Sequence, residues 1–307
     1  MLDFTRDLDL TSEEQVVLLD LATAVKRRPE DYRSVLAGQS IALLFEKPSL
    51  RTRMTFELAI QQLGGFAILN EGPIGAREPL KDVARNLDRW VNGIVARTYL
   101  QKTVDDLAKY ARVPVINALS EMWHPCQVLA DMQTLREHFG SVRGLKLAFV
   151  GDGNNVSHSL MLNAVRLGMD FALANPAKYD PSSAVVAEAR MIAEKTGSKI
   201  TLTNDPAAAV KGAHAVYTDV WASMGAENEA AERRTAFSDF QVDDELFNKA
   251  EPNAVFMHCL PAKRGEEVTD SVVENARSVV FDQAENRLHA QKALLMMLLG
   301  KDAVVSA

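Results

Sequence analysis

The sequence predicts an α/β protein of two domains, each built on a parallel β-sheet flanked by helices. Three observations carry this expectation. The chain has 307 residues, more than one hydrophobic core usually accommodates, so two domains of about 150 residues are expected. Short apolar runs alternate with amphipathic helical stretches almost from end to end. Those runs are apolar at successive positions, as strands covered on both faces are, and the helices between them supply the crossovers that parallel strands need.

Taken in order, the strand candidates of the first half are 41–45 (IALLF), 66–69 (FAIL), 93–96 (GIVA) and 113–117 (VPVIN). Those of the second half are 145–150 (LKLAFV), 170–174 (DFALA), 199–203 (KITLT), 214–220 (HAVYTDV), 254–259 (AVFMHC) and 278–281 (SVVF). Ten strands divide as four plus six. The polar stretch 136–144 (REHFGSVRG) follows a helix and marks the boundary, giving expected domains of 1–138 and 139–285. The apolar run 293–299 (ALLMMLL) reads as the buried part of a C-terminal helix, and helix 286–307 is expected to pack back onto the first domain. The longest polar connection, 221–240, follows a strand, the position where open α/β sheets bind ligands.

Composition bounds the function. A net charge of −7 and a pI near 5.5 argue against nucleic acid or an anionic membrane as partner, so an anionic substrate has to be drawn by a local basic cluster. Two cysteines make no disulfide framework and fit a reducing, cytoplasmic setting. The N-terminal stretch lacks the apolar segment of a signal peptide, and no apolar run is long enough to span a bilayer.

The local basic cluster lies in 47–53 (KPSLRTR). Ser49 reads as a helix N-cap, yet Arg51 and Arg53 occupy the first turn, where each cation opposes the helix dipole at roughly 0.3–1 kcal/mol. One such arginine is most simply a solvated side chain. Two of them, beside Ser49, Thr52 and free backbone N–H groups, make an anion site with phosphate as the natural guest. Arg287, near the start of the last helix, repeats the oddity.

Other segments offer polar groups at element ends. In 119–135, His124 precedes Pro125 at a helix start, and the Gln127 amide both donates and accepts. In 149–168 a strand, a Gly-rich turn and a helix invite a dinucleotide reading. It fails because Val156 stands where the motif needs a small residue and Asn175 where it needs an acid. Asn154 and Asn155 suit a polar small molecule instead. Asp219 ends a strand, with Ser223 and Met224 on the loop beyond. Cys259 ends another and is followed by Leu260-Pro261. His258 is expected on the opposite side by strand alternation, so Cys259 lacks the neighbouring base that a nucleophile needs. No His/Cys cluster has metal-ligand spacing, and no metal or other cofactor is expected.

Read together, KPSLRTR, HPCQ, GDGNN, DVWASMG, HCLP and AENR resemble, in order and over essentially the whole chain, the motifs of the aspartate/ornithine carbamoyltransferase family in its ornithine-type members. The resemblance implies the carbamoyltransferase-like fold with a Rossmann-like second domain. It implies transfer of the carbamoyl group of carbamoyl phosphate to the δ-amine of L-ornithine, in arginine biosynthesis, by a homotrimer or an assembly of trimers. By the same resemblance Ser49, Leu50 (through its backbone N–H), Arg51 and Thr52 hold the phosphate, and Arg97 bridges phosphate and carbamoyl oxygen. His124 donates to that oxygen, Gln127 and the Leu260 carbonyl accept from the carbamoyl NH₂, and Cys259 and Arg287 complete that site. Asn155, Asp219, Ser223 and Met224 bind ornithine, while Asp219 and Cys259 orient its amine. Catalytic roles fall to Arg97, His124, Asp219, Cys259 and Arg287. Leu50 replaces the family's usual Thr. Pro73 stands where members often present Gln or His to a neighbouring subunit, so that contact is absent or comes from Arg77 or Lys81. The alternatives are a carbamoyltransferase acting on an N-acylated ornithine or another amine, and a non-catalytic binding protein on the same fold.

Overall fold

The computed structural model describes residues 3–222 and 227–300. The chain divides into two compact units, Met1–Gln133 with Glu285–Ala307, and Thr134–Ala284. In the first, α1 (Ser12–Arg27), β1 (Ser40–Phe45), α2 (Leu50–Gln62), β2 (Phe66–Glu71), α3 (Leu80–Trp90), β3 (Gly93–Arg97), α4 (Gln101–Tyr110) and β4 (Val115–Leu119) follow one another. Helix α5 (Pro125–Phe139) begins in the first unit and ends in the second. There β5 (Lys146–Val150), α6 (Asn155–Arg166), β6 (Asp170–Ala174), α7 (Ser183–Thr196), β7 (Ile200–Thr203), α8 (Pro206–Val210) and β8 (Ala215–Thr218) alternate. The short helices α9 (Ala230–Ala236) and α10 (Asp244–Phe247), strand β9 (Val255–His258) and α11 (Asp270–Val273) come next. Helix α12 (Val280–Leu299) returns the chain to the first unit.

Both sheets are parallel, in the orders β2-β1-β3-β4 and β7-β6-β5-β8-β9. In each, the chain leaves a central strand in one direction and later returns to its other side, at β1/β3 and at β5/β8. Such reversals open a crevice at the carboxyl ends of the strands. The register brings those ends level, Phe45 against Arg97 and Thr218 against His258.

The first sheet is covered on both faces. One face buries Ile41, Leu43, Val95 and Ile116 with Phe56 and Ile60 of α2 and with Ala290, Leu294 and Met296 of α12. The other buries Ala42, Leu44, Ile94 and Ala96 against Val104 and Leu107 of α4. Strand β2 departs from the expected two-sided burial: as an edge strand it leaves Phe66 and Ile68 exposed. The second unit packs Ala148, Val150, Ala172, Val216 and Phe256 with Phe237 and Phe247.

Among the described residues the second sheet has five strands, not six. Residues 278–281 form no strand. Ser278 makes a single bridge to Phe256, after which Val279 O already accepts from Gln283 N at 2.8 Å and the chain winds into α12. An apolar run of four does not distinguish a strand from a buried helix start. Helix α5 likewise runs through 136–139, which the polar composition assigns to a linker.

Candidate active site

The first unit's polar cluster starts at α2. Ser49 is extended (φ −160°) and its hydroxyl accepts from Thr52 N–H at 3.2 Å, capping the helix. Thr52 is buried, and its Oγ1 accepts from Arg97 Nη1 at 3.3 Å and from Arg287 Nη2 at 2.7 Å. Arg97 closes strand β3, and Arg287 lies two turns into α12; both are buried. A hydroxyl accepting from two guanidinium groups has its own hydrogen left to donate. Two cations thus converge on one neutral oxygen at a helix N-terminus, which concentrates positive potential there.

Arg53 is not part of this cluster, contrary to the sequence expectation. Its Nε pairs with Glu57 at 3.1 Å and its Nη1 with Glu71 at 3.2 Å. Residue i+4 on α2 and the end of the neighbouring strand supply the carboxylates, so one of the two cations against the dipole is locally neutralised. Arg51 is half-buried in the same turn.

His124 precedes α5, and its carbonyl accepts from Gln127 N at 3.1 Å. The imidazole is buried, and burial first, then the charges of Arg287 and Arg97, hold its pKa well below the ordinary 6.5. It is a neutral ring with one N–H to donate. Gln127 is fully buried, with Nε2 donating to Asp131 Oδ1 at 2.8 Å. Cys126 is buried in the same turn, donates from Sγ to Asn117 O at 3.3 Å, and has its pKa pushed up to about 12, chiefly by burial. It is an inert thiol.

In the second unit the Gly-rich turn serves packing. A Cβ on Gly153 would lie 2.2 Å from Pro181 N and 2.4 Å from Asp180 C, so only glycine admits that segment. Asn154 caps α6, accepting from Val156 N and Ser157 N on Oδ1 at 3.0 and 3.1 Å. Its Nδ2 donates to Asp219 Oδ2 at 3.1 Å. Asp219 Oδ1 accepts from the Cys259 thiol at 3.0 Å and from Val220 N at 2.8 Å. Asn155 is half-buried beside this cluster in sequence. Ser223 and Met224 lie outside the described residues. Arg233 of α9 donates to Asp152 Oδ2 at 2.6 Å and to Trp221 O at 2.9 Å.

His258 does not take the opposite side from Cys259 that strand alternation predicts. Strand β9 ends at His258, and Leu260 turns the chain back in a left-handed conformation (φ 57°) before a cis bond to Pro261. One polar atom each of Asp219, His258 and Cys259 therefore falls within 4.8 Å of the others. The distances suit a metal ion, but the imidazole is already committed. Its Nδ1 accepts from Leu260 N at 2.9 Å, and its Nε2 faces Glu267 Oε1 at 3.1 Å. His258 holds the 258–260 turn through Leu260 N and Glu267, and Cys259 is held separately by Asp219.

The family resemblance groups Thr52, Arg97, His124 and Arg287, and also Asp219 with Cys259; in the structure both arginines bond to Thr52 and act on the charge of His124, and Cys259 bonds to Asp219. Sequence reasoning misses the supporting partners Asp131, Glu267 and Gln283, the last accepting from His258 N at 3.0 Å, and Asn154, singled out for a ligand, instead caps α6 and donates to Asp219. Only Asp131 leaves a readable signal, the four-residue spacing from Gln127 on one helix face.

Residues 3–137 match the family model described as aspartate/ornithine carbamoyltransferase, carbamoyl-P binding domain, and residues 143–298 match its Asp/Orn binding domain. The chain is 51% identical over 297 residues to the ornithine carbamoyltransferase of Thermococcus kodakarensis, covering 95% of this chain and 94% of that protein. It is 50% identical over 297 residues to the Pyrococcus furiosus protein named ornithine carbamoyltransferase, anabolic, with 95% and 94% covered. The solved structure of ornithine carbamoyltransferase from Pyrococcus furiosus superposes with a TM-score of 0.94 at 48% identity, over 97% of this chain and 96% of that one.

Proposed function

The chain belongs to the aspartate/ornithine carbamoyltransferase family, and from that premise we propose that it transfers the carbamoyl group of carbamoyl phosphate to the δ-amine of L-ornithine, giving L-citrulline and phosphate. The observation that carries the reading is the Thr52 hydroxyl gripped by Arg97 and Arg287 at the start of α2. In this reading Ser49, Arg51, Thr52 and the Leu50 N–H bind the phosphate. Arg97, Arg287 and neutral His124 donate to the carbamoyl oxygen. Gln127 and the Leu260 carbonyl accept from the carbamoyl NH₂, with Cys259 alongside. Asn155, Asp219, Ser223 and Met224 hold ornithine.

The neutral δ-amine attacks the carbamoyl carbon, forming a C–N bond and placing negative charge on the former carbonyl oxygen. The intermediate collapses by breaking the C–O bond to phosphate, and the proton released by the amine leaves with the phosphate. An alkyl amine has a pKa of about 10.4, so neutralising it at pH 7 costs roughly 4.6 kcal/mol. Desolvation on binding favours the neutral form. Asp219 alone would favour the ammonium, so its part is orientation. The Cys259 thiol donating to Asp219 supports an orienting role over a nucleophilic one. Positioning of the two substrates contributes up to roughly 7–11 kcal/mol, and each donor to the developing oxyanion about 2.7–4 kcal/mol.

Self-association, as a homotrimer or an assembly of trimers, is supported by an exposed apolar stripe. Leu50, Met54 and Leu58 recur every four residues along α2, near the exposed Phe66 and Ile68 of edge strand β2 in the same unit. A biosynthetic role is supported by the relative named anabolic, and a cytoplasmic setting by the two cysteines, which build no disulfide framework. Among the described residues no helix is long and apolar enough to cross a membrane. The test is a ureido-product assay with carbamoyl phosphate and, separately, ornithine, N-acetylornithine, putrescine and aspartate. Citrulline from ornithine alone is expected. Folded protein that makes none, or that prefers N-acetylornithine, overturns the assignment.

A further inference from the structure

Gln127 and Asp131 lie one turn apart on one face of α5, both 0% exposed. Gln127 Nε2 donates to Asp131 Oδ1 at 2.8 Å. A carboxylate only accepts hydrogen bonds, so an amide beside it has to present its nitrogen. The opposite orientation would set the amide oxygen against the carboxylate, two acceptors with no hydrogen between them. Gln127 Oε1 is thereby turned away from Asp131. It is buried, and among the described residues no donor reaches it. A buried acceptor of this kind is unfavourable by itself and becomes favourable when a guest supplies an N–H.

We infer that Asp131 is a positioning residue that locks the Gln127 amide with Oε1, and never Nε2, offered to the acyl group of the phosphate donor. The inference rests on the carbamoyl-transfer reading and deepens it. An acceptor at that point favours H₂N–C(=O) over H₃C–C(=O), so the pair selects carbamoyl phosphate over acetyl phosphate, which matches it closely in shape and charge. Asp131 itself touches no substrate; the selectivity passes through Gln127. An Asn at 131 would remove the lock, because its amide pairs with either face of the Gln127 amide.

The experiment measures dissociation constants of phosphonoacetamide, of its methyl ketone isostere acetonylphosphonate, and of inorganic phosphate, for the wild-type chain and for Asp131→Asn. The wild type is expected to prefer the amide by about tenfold or more, the worth of one good hydrogen bond. In Asp131→Asn that preference falls to about threefold or less, while phosphate affinity holds within about twofold. A general loosening of the fold would weaken all three ligands together. An undiminished preference in the folded variant overturns the proposal.

A second measurement needs no variant at 131. In wild-type protein with side-chain ¹⁵N-labelled glutamine, and Gln127→Ala for assignment, one Gln127 amide proton is expected to stay protected from solvent exchange with and without phosphonoacetamide. Rapid exchange in the free protein overturns the lock. Citrulline formation with Asp131-independent selectivity sinks this inference alone. Binding of none of the three ligands, with no citrulline formed, sinks the parent reading as well.

Discussion

Arg287 donates to the Thr52 hydroxyl at 2.7 Å although 235 residues separate them in sequence, and Arg97 reaches the same oxygen at 3.3 Å. Thr52→Val keeps the branched shape and removes that oxygen. Its kcat/KM for carbamoyl phosphate is expected to fall by about 10²–10³, with the ornithine KM changing by less than about threefold. Initial rates with each substrate varied in turn check this. Equal losses for both substrates would remove Thr52 from the phosphate end of the reaction.

The two arginines of the first turn of α2 should behave differently. Arg53 is half-exposed and tied to Glu57 and Glu71, so Arg53→Met costs at most about 1 kcal/mol of stability and leaves turnover nearly intact. Arg51→Met should weaken carbamoyl phosphate binding far more than ornithine binding. Titration of both variants with phosphonoacetamide separates the cases, and matching affinities would show that neither guanidinium meets the anion.

That contrast also marks what the sequence could reveal. The wrong-signed charges of 49–53 pointed to an anion site because a helix N-terminus is a local feature, readable from neighbours in sequence. Arg53's release from it was readable only in part, through Glu57 four residues on, because its other partner Glu71 belongs to strand β2. The parallel sheets followed from strands whose both faces are apolar, whereas 278–281 misled because four apolar residues fit a helix start equally well. Ser49, His124 and Asp219 stood out at element ends, whereas Arg97 entered only through the family resemblance. Glu267 did not stand out, because its meaning depends on the turn at Leu260 that brings it to His258.

Burial and the charges of Arg287 and Arg97 hold His124 well below its ordinary 6.5. As pH falls past about 6.5 the unfolded chain takes up this proton, while the folded chain does so only below its own, lower pKa. Between those values the unfolded state binds more protons, so stability drops by up to about 1.4 kcal/mol per pH unit. Above 6.5 the contribution is complete. His124→Gln removes the titration, and its stability relative to wild type should rise from pH 7 to pH 5. Urea unfolding at pH 5, 6 and 7 tests this; curves that stay parallel would contradict it.

Cys259 donates to Asp219 at 3.0 Å, a service that a serine hydroxyl also provides. Cys259→Ser is expected to keep measurable citrulline formation, and complete loss in a folded variant would favour covalent catalysis. Asp219→Asn retains the shape but loses the charge and one acceptor of the Asn154, Val220 and Cys259 donors. It should raise the ornithine KM and lower kcat by about 10² or more. Unchanged ornithine kinetics would refute its assignment.

The turn at Leu260 depends on a residue that touches neither cluster. Leu260 N–H donates to His258 Nδ1 at 2.9 Å, so the ring proton sits on Nε2, toward Glu267 Oε1 at 3.1 Å. The same oxygen accepts from Lys263 N at 2.6 Å. Glu267→Leu fills the space but leaves a buried imidazole N–H and a backbone N–H without an acceptor, at about 1–3 kcal/mol each. Glu267→Gln keeps an oxygen for both donors and should lose much less. The order of stability wild type, Gln, Leu is therefore expected in urea unfolding. Because Leu260 adopts a left-handed conformation that a leucine does not favour, a loosened imidazole should let the turn relax. In Glu267→Leu, kcat should then fall by about tenfold even where the protein stays folded, with Gln restoring most of it. A leucine variant as active and as stable as wild type would show that the turn holds itself.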